Sequence, residues 1–232
     1  EGLDAEEEGK KRFYVVYFEA TDDIDPNDLE YTDILLACTH RLLEKLREEH
    51  VESAAFKKVL NWLKDRWDSI ADLLDQKVVF DQLSFEQQIS TFTKLIAILK
   101  TTPSTRSLIR QQIASYSEGL VSGLNELIKS AKKQLPDGRS EIVLIVDNLD
   151  RIPPVYSEDK RRWNYELVFI DRAEQLKDLA CHLIYTVPNS MIYSDQHLIL
   201  SERYGGPVKA LPMIMVHEKD NTSYEDGINK LK

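Results

Sequence analysis

Two carboxylates, Asp147 and Asp150, follow the most apolar short stretch of this 232-residue chain. Five apolar residues, Ile142 to Val146, run unbroken into Asp147, whereas a strand on a protein surface alternates apolar with polar side chains. Such a run predicts a strand covered on both faces, as in a parallel α/β sheet. Ligands bind these sheets at the carboxyl ends of the strands, where the acids could hold a metal ion or accept a proton. Alternatively, Asp147 merely caps a loop after an ordinary core strand.

The segment VDNLDR, Val146 to Arg151, is similar to the Walker B element of P-loop NTPases of the AAA, STAND and KAP-like group. By that resemblance Asp147 would hold Mg²⁺, usually through water, and Asp150 would polarise the attacking water or sense the γ-phosphate of ATP. Asn148 would belong to the cofactor-binding part of the site. Many ATPases of the AAA type carry a catalytic glutamate at this position. Because asparagine cannot accept a proton, efficient hydrolysis would depend on Asp150.

Further candidate residues follow from the same resemblance. The segment CHLIYTVPNS, residues 181–190, looks like the strand that ends in a polar sensor residue, for which Thr186 and Asn189 are candidates. An ordinary Pro-Asn turn is the alternative. Arg203, just before the last expected strand, lies where related ATPases can carry an arginine finger that reaches a neighbour's nucleotide. Most surface arginines have no such role.

A phosphate-binding loop is the missing part of this pattern. Its consensus, G-x-x-x-x-G-K-[ST], cradles the phosphates with backbone N–H groups and neutralises them with the lysine. This stretch does not occur among the 232 residues. In the family the loop precedes the strand expected at Phe13, so we expect it upstream of residue 1. Residues 1–232 alone should therefore bind Mg-ATP weakly or not at all.

The composition narrows the possible functions. With 40 acidic and 30 basic residues the formal net charge is −10, which argues against a broad grip on nucleic acid. No apolar run reaches the roughly 18 residues of a membrane helix, so we expect no membrane contact. Cys38 and Cys181 stand in apolar surroundings and indicate packed thiols in a reducing, cytoplasmic setting.

The elements that would position the candidate residues follow an α/β pattern. Strand–helix alternation with apolar strands predicts parallel pairing. We therefore expect a single, incomplete domain over residues 1–232, with a parallel-sheet, P-loop NTPase-like core in which Ile142–Val146 is the central strand. The other predicted strands are Phe13–Phe18, His182–Val187 and Val208–Val216, and helices are predicted near Trp163–Leu179, Gln196–Arg203 and Tyr224–Leu231.

A long helical insertion, approximately residues 28–136, separates the first two strands. Asp25 is the predicted N-cap of its first helix, with Pro26 at the first helical position and Asp28 at the positive helix end. A Ser84–Gln87 capping box begins another helix. Residues at 4-3 spacing, all apolar except Thr39, predict four helices packed on one another. These residues are Leu35, Thr39, Leu42 and Leu46; Phe56, Leu60, Leu63, Trp67, Ile70 and Leu74; Phe85, Ile89, Phe92, Ile96 and Leu99; and Ile109, Ile113, Tyr116, Leu120, Leu124 and Leu127.

The expected function is therefore the ATP-binding core of an ATPase, whose helical insertion couples the nucleotide state to a protein partner or to self-assembly. Trp62 lies about 100° from the Phe56–Leu74 stripe. It therefore predicts an exposed contact on a bundle that projects from the core; its packing onto the sheet is the alternative. The alternative function is a non-catalytic interaction module with an ATPase-like fold, which Asn148 and the size of the insertion favour.

Overall fold

The fold combines short strands with long helices, as the α/β pattern predicts. The computed structural model describes residues 6–7, 10–49, 51, 54–73, 83–210, 223, 225 and 229. The strands are β1 (Glu6–Glu7), β2 (Lys10–Lys11), β3 (Phe13–Glu19), β4 (Glu141–Asp147), β5 (Tyr156–Ser157), β6 (Arg162–Trp163) and β7 (His182–Tyr185). The helices are α1 (Ala20–Asp23), α2 (Tyr31–Glu48), α3 (Ala54–Leu73), α4 (Phe85–Thr101), α5 (Pro103–Ala114), α6 (Ser117–Ala131), α7 (Asn164–Phe169), α8 (Ala173–Lys177), α9 (Asn189–Ile192) and α10 (Gln196–Tyr204).

A three-stranded parallel sheet has the order β3-β4-β7. Strand β4 is parallel to both of its neighbours, with Phe13 opposite Glu141 and Val143 opposite His182. The prediction that Ile142–Val146 is a central parallel strand between strands at Phe13 and His182 is therefore confirmed.

The two faces of this sheet differ in how well they are covered. Every second residue from Tyr14 to Phe18 is buried, together with the neighbouring positions of β4. On the other face, Tyr17 and Ile184 leave 55% and 42% of their surface exposed. The apolar run Ile142–Val146 predicted burial on both faces. Within the described residues, that prediction holds fully for one face only.

Helix α2 is buried along most of its length and joins the sheet to the helical block. It contacts β3 and α8 as well as α4, α5 and α6. A helix that is apolar on most sides is an interior element. The helical block therefore shares one hydrophobic core with the sheet, and the expectation of a projecting bundle is wrong. The most deeply buried apolar residues of α2 are Ile34, Leu35, Leu36, Ala37, Cys38, Leu42, Leu43 and Leu46.

Within the described residues, the helical block contains five helices, α2 to α6, rather than the predicted four. The last predicted helix, over Ile109–Leu127, is divided into α5 and α6 at Ser115 and Tyr116. Tyr116 leaves the helical conformation with φ −130° and ψ 19°, which ends the apolar stripe as a single helix. The predicted Ser84–Gln87 capping box at the start of α4 is confirmed.

Helix α2 begins at Tyr31, which is later than the sequence predicts. The backbone N–H of Glu30 donates to the carboxylate of Asp33 at 2.9 Å and closes the first turn. Asp25 and Pro26 lie in a turn before the helix. The predicted N-cap is therefore wrong.

Buried arginines of α5 account for this later start. Arg106, with 2% of its surface exposed, donates to Asp28 at 2.7 Å and to Asp25 at 2.9 Å. The same guanidinium donates to the carbonyl oxygens of Leu99 and Lys100 at 2.5 and 2.7 Å. Asp28 is thus bound to α5 and does not lie in the first turn of a helix, where the sequence predicts it.

Arg110, one turn further along α5, binds the same segment. Its guanidinium donates to Asp28 at 2.8 Å and to Asp33 at 2.6 Å. Burial alone would raise the pKa of Asp28, but the hydrogen bonds from Arg110 and Arg106 outweigh it and lower that pKa. The segment from Asp25 to Asp33 is therefore held against α5 by charge-assisted hydrogen bonds.

Trp62 packs between α3 and α6, with only 6% of its surface exposed. Its Nε1 donates to the carbonyl of Tyr116 at 3.0 Å, and the guanidinium of Arg66 lies 4.7 Å from its ring centroid. The predicted exposed contact is wrong. The alternative place on the sheet is wrong as well, because the indole faces Gly119 of α6.

The two glycines of α6 provide a test of this packing. A methyl group at Gly123 would lie 3.7 Å from Val59, whereas a methyl group at Gly119 would lie 3.2 Å from Cδ1 of Trp62. Alanine is favoured over glycine in a helix interior by about 0.8–1 kcal/mol. We expect Gly123→Ala to raise the free energy of unfolding by about this amount, and Gly119→Ala to raise it less or to lower it. Urea unfolding measures both changes, and an equal gain would contradict the tight fit around Trp62.

The elements after β4 are partly confirmed. The predicted helix over Trp163–Leu179 is divided into α7 and α8, and the predicted helix near Gln196 is α10. The predicted last strand, Val208–Val216, falls outside the described residues from position 211 onward, and so does most of the predicted helix near Tyr224–Leu231. In the described ranges, no helix has the length and apolar character needed to cross a membrane.

Candidate functional site

The carboxyl ends of β3 and β4 meet at one edge of the sheet. Glu19 lies opposite Asp147 in the parallel register. Tyr17, two residues before Glu19, donates its hydroxyl to Oδ2 of Asp147 at 3.0 Å. This hydrogen bond raises the pKa of Tyr17, because ionising the phenol would remove the donor and place two negative charges together. Asp147 is therefore oriented by a neighbouring strand.

Asn148 links the two strands at this edge. Its backbone has φ +62°, a left-handed conformation that asparagine tolerates better than most residues. Its side chain is largely buried, since the residue is 7% exposed, and Nδ2 donates to Oε2 of Glu19 at 2.6 Å. The backbone N–H of Asn148 donates to Oδ1 of Asp147 at 2.8 Å. Asn148 thus contacts one carboxylate from each strand.

Thr186 joins β7 to the same edge. Its hydroxyl accepts a hydrogen bond from the backbone N–H of Leu149 at 3.0 Å, and its own N–H donates to the carbonyl of Val146 at 3.3 Å. Asp150 follows in a 3-10 turn and is exposed. The structure therefore brings the predicted sensor Thr186 to the turn that follows Asp147.

The other two predicted site residues, Asn189 and Arg203, are exposed and are not bonded to Asp147 within the described residues. Asn189 is exposed at the start of α9. Arg203 is exposed in the last turn of α10, and its carbonyl accepts a hydrogen bond from Nζ of Lys177 at 3.0 Å. Across the part of the chain that the structure describes, no hydrogen bond or ion pair joins Asn189 or Arg203 to Asp147.

Tyr17 and Glu19 were not predicted as site residues. A signal for Glu19 was present, because FYVVYFE and EIVLIVD are both seven-residue strands that end in an acid. If two parallel strands of equal length pair from their first residues, their last residues, here both acids, lie at the same edge of the sheet. The register depends on packing between segments that are far apart in the sequence, however, and a shift of one residue would turn Glu19 to the other face.

A magnesium ion would meet one oriented carboxylate here rather than a cage of ligands. Mg²⁺ usually keeps several waters and takes one or two carboxylates together with nucleotide phosphates. Asp147 fits that mode, because each of its oxygens accepts one hydrogen bond and keeps a lone pair for a further partner. Among the residues whose placement is described, no group of three or more His, Cys, Asp or Glu could hold a metal ion. Asp147 could therefore give such an ion one carboxylate ligand.

The turn after β4 also packs against the segment after β3. A small crevice between them is lined by Ala20, Thr21, Ile24, Pro26, Leu29, Asn148, Leu149 and Ile152. Asp25 and Asp28 of the same segment are the acids that bind Arg106 of α5. A continuous set of contacts therefore runs from Asn148 to the helical block.

Comparisons with known proteins do not assign this site. No family model matches the chain, and no curated protein or solved structure shows significant similarity to it. The likeness of residues 146–151 to a Walker B element therefore stays a resemblance.

Proposed function

We propose that this chain is the ATP-binding core of a cytoplasmic P-loop ATPase of the AAA, STAND or KAP-like group. The observation that carries the proposal is Asp147 at the carboxyl end of a central strand with a parallel neighbour on each side. This supports a ligand site because parallel sheets bind ligands at that edge. The proposal requires a phosphate-binding loop, a stretch that residues 1–232 do not contain.

In this proposal the edge residues have separate roles. Asp147 holds Mg²⁺, which when bound neutralises charge on the phosphates. Thr186 is the sensor, and its bond to Leu149 couples β7 to the turn after Asp147. Asp150 is exposed on that turn and is the candidate sensor of the γ-phosphate. Asn189 remains the second sensor candidate, and the exposed Arg203 remains the candidate finger for a neighbouring copy.

In this proposal the helical block transmits the nucleotide state to a partner. The segment from Asp25 to Asp33 packs against the turn at Asn148 and is held to α5 by Arg106 and Arg110. A nucleotide that shifts this turn would therefore shift α5 as well. We propose that the shift alters contact with a protein partner or with another copy of the chain.

One observation favours a second function, a non-catalytic interaction module with an ATPase-like fold. Asn148, directly after Asp147, cannot accept a proton from water. In such a module the bonds of Asn148 to Glu19 and Asp147 would serve only to fix the turn.

Calorimetric titration with Mg-ATP separates the two functions. Residues 1–232 alone should show no binding in the micromolar range, because a phosphate cradle normally provides most of the phosphate contacts. A longer protein that joins residues 1–232 to a phosphate-binding loop should bind Mg-ATP in that range. In that protein Asp147→Asn should weaken the magnesium-dependent binding by about tenfold or more, and the exposed Asp159→Asn should not.

Two results would contradict the proposal. Tight binding by residues 1–232 alone would remove the need for the loop. Failure of the longer protein to bind nucleotide, with an intact fold by circular dichroism, would favour the non-catalytic module.

A further inference from the structure

Resting on the proposed function, we infer that Glu19 is the general base of ATP hydrolysis and that Asn148 is the positioning residue that holds it. Glu19 ends β3, directly opposite Asp147 of β4. The proton acceptor would therefore come from the neighbouring strand and not from the residue that follows Asp147.

The carboxylates of Glu19, Asp147 and Asp150 differ in how they are bound, while the nearby Asp22 is paired with Arg41 at 3.6 Å. Asp147 accepts hydrogen bonds on both oxygens, from Tyr17 and from the backbone of Asn148. Asp150 is exposed in its turn, and no hydrogen bond from a described residue fixes its carboxylate. Glu19 is also exposed, but Oε2 is fixed by Asn148 at 2.6 Å, while Oε1 accepts no hydrogen bond from a described residue. Of these three acids, Glu19 combines a fixed position with a free oxygen.

Asn148 is well suited to hold this carboxylate. Its side chain is buried and its backbone is fixed in the left-handed conformation, so the Nδ2 donor has a defined position. An amide can donate to a carboxylate but cannot take a proton from water at neutral pH. The two residues therefore have complementary roles, since Asn148 orients the carboxylate and Glu19 accepts the proton. A fixed base of this kind loses little entropy when the reaction begins.

The hydrolysis step that Glu19 would assist begins with attack by water. The oxygen of a water molecule bonds to the γ-phosphorus of ATP while one of its protons passes to Oε1 of Glu19. The bond between the γ-phosphorus and the β–γ bridging oxygen breaks, and its electron pair stays with ADP. No group is oxidised or reduced. The products are ADP, inorganic phosphate and a protonated Glu19, which returns its proton to solvent.

The test uses the longer protein that contains the phosphate loop, with the fluorescent nucleotide mant-ATP and Mg²⁺ as the binding probe. Glu19→Gln keeps an oxygen that can accept from Asn148, so the fold and the Kd for the nucleotide should not change. Its kcat should fall by about 10²–10⁴-fold, which is the usual contribution of a general base. Glu158→Gln, a matched change on the exposed hairpin, should leave kcat unchanged.

Exchanging the amide and the carboxylate tests the pair itself. In nucleotide-free residues 1–232, Asn148→Asp alone places two carboxylates together and should lower the melting temperature. The double variant, Glu19→Gln with Asn148→Asp, should recover it, because an amide and a carboxylate are paired again. Aspartate is used because, like asparagine, it tolerates the left-handed backbone at position 148.

The outcomes separate this inference from the proposed function. If the wild-type protein with the phosphate loop does not bind Mg-ATP, the proposed function fails and the inference fails with it. If it binds and hydrolyses ATP but Glu19→Gln is as active as the wild type, only the inference is overturned. It is equally overturned if Asp150→Asn abolishes hydrolysis in place of Glu19→Gln, if Glu19→Gln loses nucleotide binding, or if the wild type binds ATP without hydrolysing it.

Discussion

Replacing Arg106 with methionine should lower the free energy of unfolding by about 3 kcal/mol. The guanidinium is buried and donates to two acids of the segment before α2 and to two backbone carbonyls in the last turn of α4. Methionine fills part of the volume but leaves the carbonyls of Leu99 and Lys100 without a partner. Asp25 and Asp28 are partly exposed, so water would offset some of their loss. Urea unfolding followed by circular dichroism measures the change.

Arg151→Met is the matched control, because Arg151 is an exposed arginine in the turn after β4. Surface substitutions of this kind usually change stability by less than about 0.5 kcal/mol. Equal losses for the Arg106 and Arg151 variants would show that the buried hydrogen bonds contribute nothing beyond a general change of charge.

Trp62→Ala should lower the free energy of unfolding by about 3–5 kcal/mol, the usual cost of removing a large buried aromatic side chain. The variant loses the hydrogen bond to Tyr116 and leaves a cavity facing Gly119 and Arg66. The same urea unfolding experiment, followed by one signal of secondary structure and one of tertiary structure, measures this change in the free energy of unfolding.

Trp163→Ala provides the comparison for Trp62, since Trp163 is an exposed tryptophan on the β5–β6 hairpin, stacked on Tyr165. Its loss should cost less than half as much, because little apolar surface leaves the core. If Trp62→Ala instead preserved stability and reduced self-association, Trp62 would be an interface residue, contrary to its buried position between α3 and α6.

Local patterns predicted the strands well and the segment between β3 and α2 poorly. The apolar runs at Phe13 and Ile142 end in acids, and each run predicts a buried strand of a parallel sheet from its own residues alone. The Ser84–Gln87 box is likewise a local interaction and was predicted correctly. Asp25 has an equally good N-cap sequence, but arginines about 80 residues away bind the acids of this segment more strongly than a helix end would.

The candidate site shows the same division between local and distant causes. Asp147 and Thr186 end apolar strands, so they were predicted from their own segments. Tyr17 and Glu19 become site residues only through the register of β3 against β4, which places Tyr17 beside Asp147 and Glu19 beside Asn148. No local pattern reports a register between strands that are separated by a whole helical block.

Helix α2 is buried against the sheet and also against the other helices, and this has a consequence for how the chain folds. Residues such as Leu35, Leu36, Leu42 and Leu43 are fully enclosed, and α2 contacts both the sheet and the other helices. If either the sheet or the other helices unfolded alone, α2 would be exposed to water. The described core should therefore unfold in one cooperative transition. Pairing of β3 with β4 also brings together strands that the whole helical block separates in the sequence, and such non-local contacts favour slow folding. The helical block is thus a structural half of the molecule, and excising it would leave β3 and β4 without a core to close on.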